Sequence, residues 1–493
     1  MNSTLPLYGS SLALLTDLYQ LTMAYGYWKL GRGDREAVFH AAFRTAPFEG
    51  GFAVACGLAT VIDFIRGLSF APDDLEYLAG LTGQDGKPLF EGAFLDYLRT
   101  FQITLDIDAI PEGTVVFGHE PMVRVRGPLL QCQLVETALL NMLNFSTLVA
   151  TKAARICIAA RGEPVLEFGL RRAQGMDGAM TASRAAYIGG CAATSNVLAG
   201  KMFGIPVKGT HAHSWVMSFD TELDSFDAYA RVMPNNVVLL VDTYGTLDGV
   251  RHAVEIGKKL RAAGHTLQGI RLDSGDLAYL SIEARKILDA AGFQDAAILA
   301  TNDLDEDIIR SLKEQHAAIG VWGVGTKLVT SSEQAALGGV YKLSAMRAES
   351  GQWEHKIKLS EQLAKTSIPG ILQVRRFRID GEYSGDMIFD ELLPPKVDGE
   401  ALMIDPMDAT RRKAIPANAA SEDLLVPVFR GGKQVYETPS LENIRKRTQE
   451  QLAAFHPGIK RSVNPHQYPV GLEKSLFGLR QEMILKIRIG AAT

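Results

Sequence analysis

The chain has 493 residues, 47% hydrophobic and 22% charged, with a net charge of −5. That length exceeds one ordinary core and predicts two or three domains. The composition is globular, no apolar run reaches transmembrane length, and the acidic balance argues against nucleic-acid or membrane binding, so an anionic substrate must be met by local arginines and backbone amides. No basic segment followed by an apolar one opens the chain, and cytoplasm is the expected location. Cys56, Cys132, Cys157 and Cys191 form no CxxC pair and no metal-finger spacing, which points to reduced, structural thiols.

Residues 12–30 carry a helical stripe (Leu14, Leu15, Leu18, Leu21, Thr22) that breaks at Gly31-Arg32-Gly33. Ala37 to Phe43 alternates as a strand. Residues 58–104 read as helices, and Pro111 to Gln133 as short β runs cut by glycine and proline. A long helix is predicted from about Leu134 to Ala160. From Pro164 the texture alternates between β and α, with strands at 164–169, 205–209, 236–242, 267–272, 296–301 and 318–323. This alternation predicts parallel strands with right-handed crossovers. Six strands suit an irregular or incomplete α/β barrel. An open doubly wound sheet is the main rival, weakened by the lack of GxGxxG after an early strand. Beyond Ser350, strands are expected at 355–359 and 371–379, then a charged helix at about 440–455 and a Pro/Gly-rich tail. The expected organisation is a mixed α+β N-terminal domain (1–150), a central barrel (151–350) and a C-terminal region (351–493) that packs partly on the first.

Four predicted strands end in reactive side chains, which is how α/β enzymes present chemistry. Ile205-Pro206-Val207 leads into Lys208-Gly209-Thr210-His211-Ala212-His213-Ser214-Trp215. Ile270 leads into Arg271-Leu272-Asp273-Ser274-Gly275-Asp276, and Leu299-Ala300-Thr301 into Asn302-Asp303. Gly323-Val324-Gly325-Thr326 completes the series. Its glycines let backbone amides approach an anion, and Thr330 with Glu333, or Ser331 with Gln334, has capping-box spacing for a following helix. The plain alternative is a tight turn. Arg271 and Asp273 share a side of an extended segment, either as a site for an anionic ring and a developing cation or as a structural ion pair. His211 and His213 also share a side. They suit acid–base or nucleophilic chemistry beside Ser214, a zinc site without an evident third ligand, or a surface loop. In Glu167-Phe168-Gly169-Leu170-Arg171-Arg172, Phe168 offers an aromatic face or a core ring, and Arg172 reads as solvated. Tyr19, in Thr16-Asp17-Leu18-Tyr19-Gln20, would by itself be a packing residue.

In their order along the chain these segments, with Thr194-Ser195-Asn196-Val197-Leu198-Ala199-Gly200 and Gly338-Gly339-Val340-Tyr341-Lys342-Leu343, resemble the nicotinate phosphoribosyltransferases. Each motif alone is modest, but the ordered set spans nearly the whole chain, most closely at about 164–345. The resemblance implies an enzyme that joins nicotinate to 5-phosphoribosyl 1-pyrophosphate, giving nicotinate mononucleotide and pyrophosphate for NAD biosynthesis. It also implies Mg²⁺, ATP hydrolysis through a phosphohistidine in the ligase class, and a homodimer with shared active sites. By motif, the phosphohistidine is His213. Tyr19, reaching across the dimer, and Phe168 sandwich the pyridine ring. Thr210 and Arg271 contact nicotinate, and Asp273 sits by the ribose. Arg171, Asn302, Asp303, Gly323, Gly325 and Thr326 take phosphoribosyl pyrophosphate. Related nicotinamide enzymes carry an acid where His211 stands. A carboxylate there would repel nicotinate, so His211 favours the acid substrate. The rival readings are a nicotinamide phosphoribosyltransferase, a metal-dependent barrel lyase using His211, His213 and Asp273, and a non-catalytic phosphosugar-binding relative.

Overall fold

The structure, a computed structural model, describes residues 12–362, 365–395 and 401–490. Two compact units divide the chain: Val149–Ala335, and a second that joins Asn2–Leu148 to Ala336–Thr493. The three regions expected from sequence thus become two, because the chain before and after Val149–Ala335 shares one sheet.

The first unit is a six-stranded parallel sheet with helical crossovers. Its strands are β1 (Val165–Glu167), β2 (Ala193–Thr194), β3 (Val238–Leu240), β4 (Gly269–Leu272), β5 (Ala297–Ala300) and β6 (Val321–Val324), in the order β2-β1-β6-β5-β4-β3. Around β3, Val237, Leu239, Leu240 and Val241 are all buried. A near-continuous apolar run is the mark of a strand covered on both faces. The helix Thr246–Ala262 turns Val250, Ala253, Val254, Ile256 and Leu260 inward at helical spacing. Five predicted strands match, with each end within three residues of its expected position. The sixth, 205–209, supplies only an isolated parallel bridge from Val207 to Thr194. The two-residue strand β2 was not expected, since Ala193-Thr194 makes no apolar run.

In the second unit, Glu36–Ala42 pairs antiparallel with both Val123–Pro128 and Val340–Arg347 inside a seven-stranded sheet. Helices occupy Leu18–Lys29, Leu58–Gly67, Pro72–Gly80 and Gly92–Arg99, and the helix Glu136–Ala159 begins in this unit and runs past its end at Leu148. A further six-stranded sheet lies within the C-terminal part, ordered Arg412–Ile415, Ala401–Ile404, Val470–Glu473, Glu382–Asp390, Leu372–Ile379, Ala420–Asp423. The expected strand at 355–359 is displaced to Trp353–His355, and the helix at 440–455 is Leu441–Ala454. The supposed tail holds a strand and the helix Lys474–Gly490. Inside this unit Arg376 is fully buried. Its Nε donates to Asp386 Oδ1 at 2.9 Å, and the rings of Tyr383 and Phe455 lie 5.1 Å from the guanidinium. Glu120, also fully buried, accepts the Phe117 N–H at 2.9 Å. Burial and the neighbouring Asp386 hold its carboxyl well above the usual carboxylate range, so it is the protonated partner of that pair.

Candidate active site

Arg271, the last residue but one of β4, is the hub of the first unit's strand-end cluster. Its Nε donates to Thr301 Oγ1 at 3.0 Å, Nη1 to Thr210 Oγ1 at 3.1 Å and Nη2 to Asp273 Oδ1 at 3.0 Å. A guanidinium has five N–H donors, so one on each terminal nitrogen is left over. The Thr301 hydroxyl donates in turn to Asp273. Burial pushes the Asp273 carboxyl up, but the Thr301 hydroxyl, Arg271 and His213 outweigh it and hold the group below its ordinary value. His213 places Nε2 3.6 Å from Asp273 Oδ2 and Nδ1 3.1 Å from Thr243 Oγ1. Asp242, at the end of β3, accepts from the Asp273 N–H at 2.8 Å and from the Ser274 hydroxyl at 2.6 Å through Oδ2. Its Oδ1 is buried and has no hydrogen-bond partner among the described residues.

Phe168 follows β1, with its N–H bonded to the Val324 carbonyl at 2.8 Å. Its ring lies against Gly323, where an added Cβ would sit 2.9 Å from Phe168 Cδ2 and 2.6 Å from Thr301 Cγ2. Only glycine leaves the ring that room. Glu167 holds the turn from beneath, accepting from the Ser183 hydroxyl at 2.8 Å, the Thr194 hydroxyl at 2.5 Å and the Gly169 N–H. Arg171 and Arg172 are exposed in a short 3-10 turn just beyond. After β5, Asn302 and Asp303 take φ values of 90° and 43°, a backbone form that costs energy for non-glycine residues. Gly325 caps a single helical turn, Thr326–Val329. The expected capping box does not form. The helix ends at Thr330, whose hydroxyl donates back to the Thr326 carbonyl at 2.7 Å, and Ser331 and Glu333 have left-handed φ of 47° and 80°.

Asp242 and Thr243 were missed in sequence, and Thr301 was named there without a role. All three stand where predicted strands end, so the rule that singled out Arg271 would have found them. Tyr19 belongs to the other unit. It is 47% exposed on the helix Leu18–Lys29, beside Leu18 and Met23. Its neighbour Gln20 anchors that helix, accepting the Asp17 N–H at 3.0 Å and donating to the Gln133 carbonyl at 2.8 Å. The second unit also has a basic cavity of about 70 Å³, lined in part by His40, Arg44, His119, Lys342 and Lys365, which sequence reasoning did not single out. Buried Arg480 donates to the Thr366 and Ser367 carbonyls in its wall.

An incomplete barrel with an arginine, a carboxylate and an aromatic ring at the ends of its strands, and an imidazole from the helix start at His213, is an enzyme scaffold for a small anionic, planar substrate. Three family models match along the chain. They are the nicotinate phosphoribosyltransferase (NAPRTase) N-terminal domain over residues 14–144, the family proper over 164–379 and its C-terminal domain over 373–480. A nicotinate phosphoribosyltransferase of Bacillus subtilis (strain 168) is 42% identical over 481 residues, which is 97% of this chain and 96% of that protein. That of Homo sapiens is 35% identical over 526 residues, covering 94% and 95%. The crystal structure of human nicotinic acid phosphoribosyltransferase superposes with a TM-score of 0.82 at 32% identity, over 95% of this chain and 99% of that one. Nicotinate-nucleotide pyrophosphorylase from Pyrococcus furiosus, 23% identical with a TM-score of 0.68 over 90% and 96%, shares the fold. The chain belongs to the nicotinate phosphoribosyltransferase family.

Proposed function

We propose that this chain joins nicotinate to 5-phosphoribosyl 1-pyrophosphate, releasing pyrophosphate and nicotinate mononucleotide for NAD biosynthesis. The observation that carries the reading is Arg271. Three of its donors are spent on Thr210, Thr301 and Asp273, which hold the fork still, and two remain to receive a carboxylate. Phe168 offers its ring to one face of the pyridine. Bond breaking at the anomeric carbon leaves positive charge on the ribose, and the Asp273 carboxylate, ionised at neutral pH, is placed to stabilise it. The pyridine nitrogen then forms the new bond as the pyrophosphate oxygen departs. Gly323, Gly325, Thr326, Asn302, Asp303 and Arg171 would hold the phosphates.

Mg²⁺ supplies charge neutralisation of the leaving pyrophosphate. Oxygen donors suit it, and the unpartnered Oδ1 of Asp242 beside Asp273 is the fitting pair. His213 would take the γ-phosphoryl group of ATP. A ring nitrogen attacks phosphorus, ADP leaves, and water later releases phosphate, which is the ligase-class coupling. In a homodimer, the exposed Tyr19 of a partner copy would cover the second face of the pyridine. A cytoplasmic location fits these soluble substrates, and no described helix is long and apolar enough to cross a membrane.

The deciding assay is nicotinate mononucleotide formation with Mg²⁺, with and without ATP, and with nicotinamide in parallel. Product from nicotinate, raised by ATP, supports the reading. Product from nicotinamide alone would overturn it in favour of the amide enzyme, and no product from either would leave a phosphosugar-binding relative.

A further inference from the structure

Strand β3 ends the barrel sheet, and β4 takes one of its two edges. The Val241 N–H reaches the Arg271 carbonyl of β4 at 3.2 Å. Strand alternation turns the Leu240 N–H the other way, into the gap where a closed barrel would have its next strand. At the far end of the sheet, Val207 makes one parallel bridge to β2, and the chain then runs through Gly209 toward β3. The His211 side chain crosses this seam to the backbone of β3. His211 Nε2 accepts the Leu240 N–H at 3.2 Å, while Nδ1 lies 3.4 Å from the Ala212 carbonyl. A neutral ring with its hydrogen on Nδ1 serves both contacts. The ring is 8% exposed and meets Tyr229 edge-on at 4.8 Å, with Phe226 at 6.1 Å. Burial pulls its pKa down to about 4; the Ala212 carbonyl opposes this, and Arg271 and His213 add to it.

We infer that His211 is the positioning residue that closes the barrel seam, pinning the Thr210–His213 segment to β3. The consequence rests on the proposed function, which gives Thr210 and His213 their roles. The Thr210 hydroxyl accepts from Arg271 and donates to the His211 carbonyl at 3.2 Å. His213 meets Thr243, three residues beyond Leu240. The His211 pin ties the backbone between these two contacts to β3, and so fixes the register of the two side chains that face the nicotinate and phosphoryl subsites. His211 acts through them and does not itself carry charge to the substrate.

His211→Leu keeps volume but removes the acceptor, whereas His211→Gln returns an acceptor near the Nε2 position. Amide hydrogen exchange at Leu240 is measured in the full-length enzyme, together with kcat and both KM values. In the leucine variant, exchange at Leu240 rises by about tenfold or more, ATP-stimulated kcat falls by about tenfold, and the phosphoribosyl pyrophosphate KM stays within about twofold. The glutamine variant recovers protection and kcat together. A leucine variant that keeps Leu240 protected, or that frees it without loss of kcat, overturns the inference, as does a glutamine variant no better than leucine. If the leucine variant does not fold, ¹⁵N-histidine NMR of the unaltered protein decides. A His211 ring at neutral pH with Nε2 unprotonated supports the pin, and a proton on Nε2 overturns it. If the unaltered enzyme makes no mononucleotide, the activity reading fails while the exchange and NMR results still judge the seam.

Discussion

Gly323→Ala perturbs the candidate site through one methyl group. The new Cβ would stand 2.6 Å from Thr301 Cγ2 and 2.9 and 3.0 Å from two ring carbons of Phe168. Ordinary contact begins near 3.4 Å, so the threonine must retreat by about 0.8 Å and the ring by about 0.5 Å. Gly323 lies in the centre of β6, paired with Leu166 of β1, so the backbone cannot yield alone. Overpacking of this kind costs about 1–3 kcal/mol. The displaced groups are the aromatic platform and the hydroxyl that holds Arg271 and Asp273. A loss of about 1.4 kcal/mol in nicotinate binding corresponds to about a tenfold rise in its KM. Steady-state kinetics with nicotinate varied, alongside a melting curve to establish folding, measures it. Thr301→Ser deletes the closest methyl and keeps the hydroxyl, so Gly323→Ala/Thr301→Ser should recover most of the loss. A folded alanine variant with unaltered nicotinate KM and kcat would refute the reasoning. So would a double variant no better than the single one.

Arg271→Lys cannot reach Thr210, Thr301 and Asp273 at once, and kcat/KM for nicotinate should fall by about 100-fold or more in the same assay. His213→Ala should retain basal mononucleotide synthesis and lose its stimulation by ATP, measured as product and released phosphate. An ATP-stimulated alanine variant would remove His213 from the coupling. For Glu120 the folded pKa is raised, so its contribution is fully present below the ordinary carboxyl range and is lost as pH rises through the raised value. Glu120→Gln mimics the protonated form, and its melting temperature relative to the unaltered protein should climb as pH increases, by an amount corresponding to about 1 kcal/mol. A parallel pH dependence in both proteins would contradict a protonated Glu120.

The barrel was readable because its strands are covered on both faces. Val237 to Val241 is an unbroken apolar run bounded by turns, and in Leu267 to Leu272 the leucines and Ile270 are buried around the polar Gln268 and Arg271. Strand-end logic then located Arg271, Asp273, His213 and the Gly323–Thr326 turn. What escaped was set by tertiary pairing. Ala193-Thr194 becomes a strand only because β1 lies beside it, and 205–209 stays largely unpaired because the barrel does not close there. Ala420–Asp423 is exposed throughout and carries no apolar signal, yet it lines the edge of a sheet. The capping-box spacing at Thr330 was chemically sound, but the helix ends at that residue and there is no first turn for it to cap. Thr301 was named without a role and Thr243 went unremarked because a hydroxyl shows its importance only through the group that it touches, here Arg271 and His213.

The pairing of Glu36–Ala42 with Val340–Arg347 has a consequence for the order in which this chain acquires structure on the ribosome. The unit Val149–Ala335 is continuous, and all its strand partners have emerged once β6 is made. The other unit begins first and finishes last. Until Arg347 is synthesised, one edge of Glu36–Ala42 has exposed backbone donors and acceptors, with an apolar face that includes Phe39 alongside. Such an edge is a template for the wrong partner. The vulnerable species in the cell is therefore the nascent chain that stops short of its final third, and a premature stop after Ala335 should yield aggregation more readily than a soluble barrel.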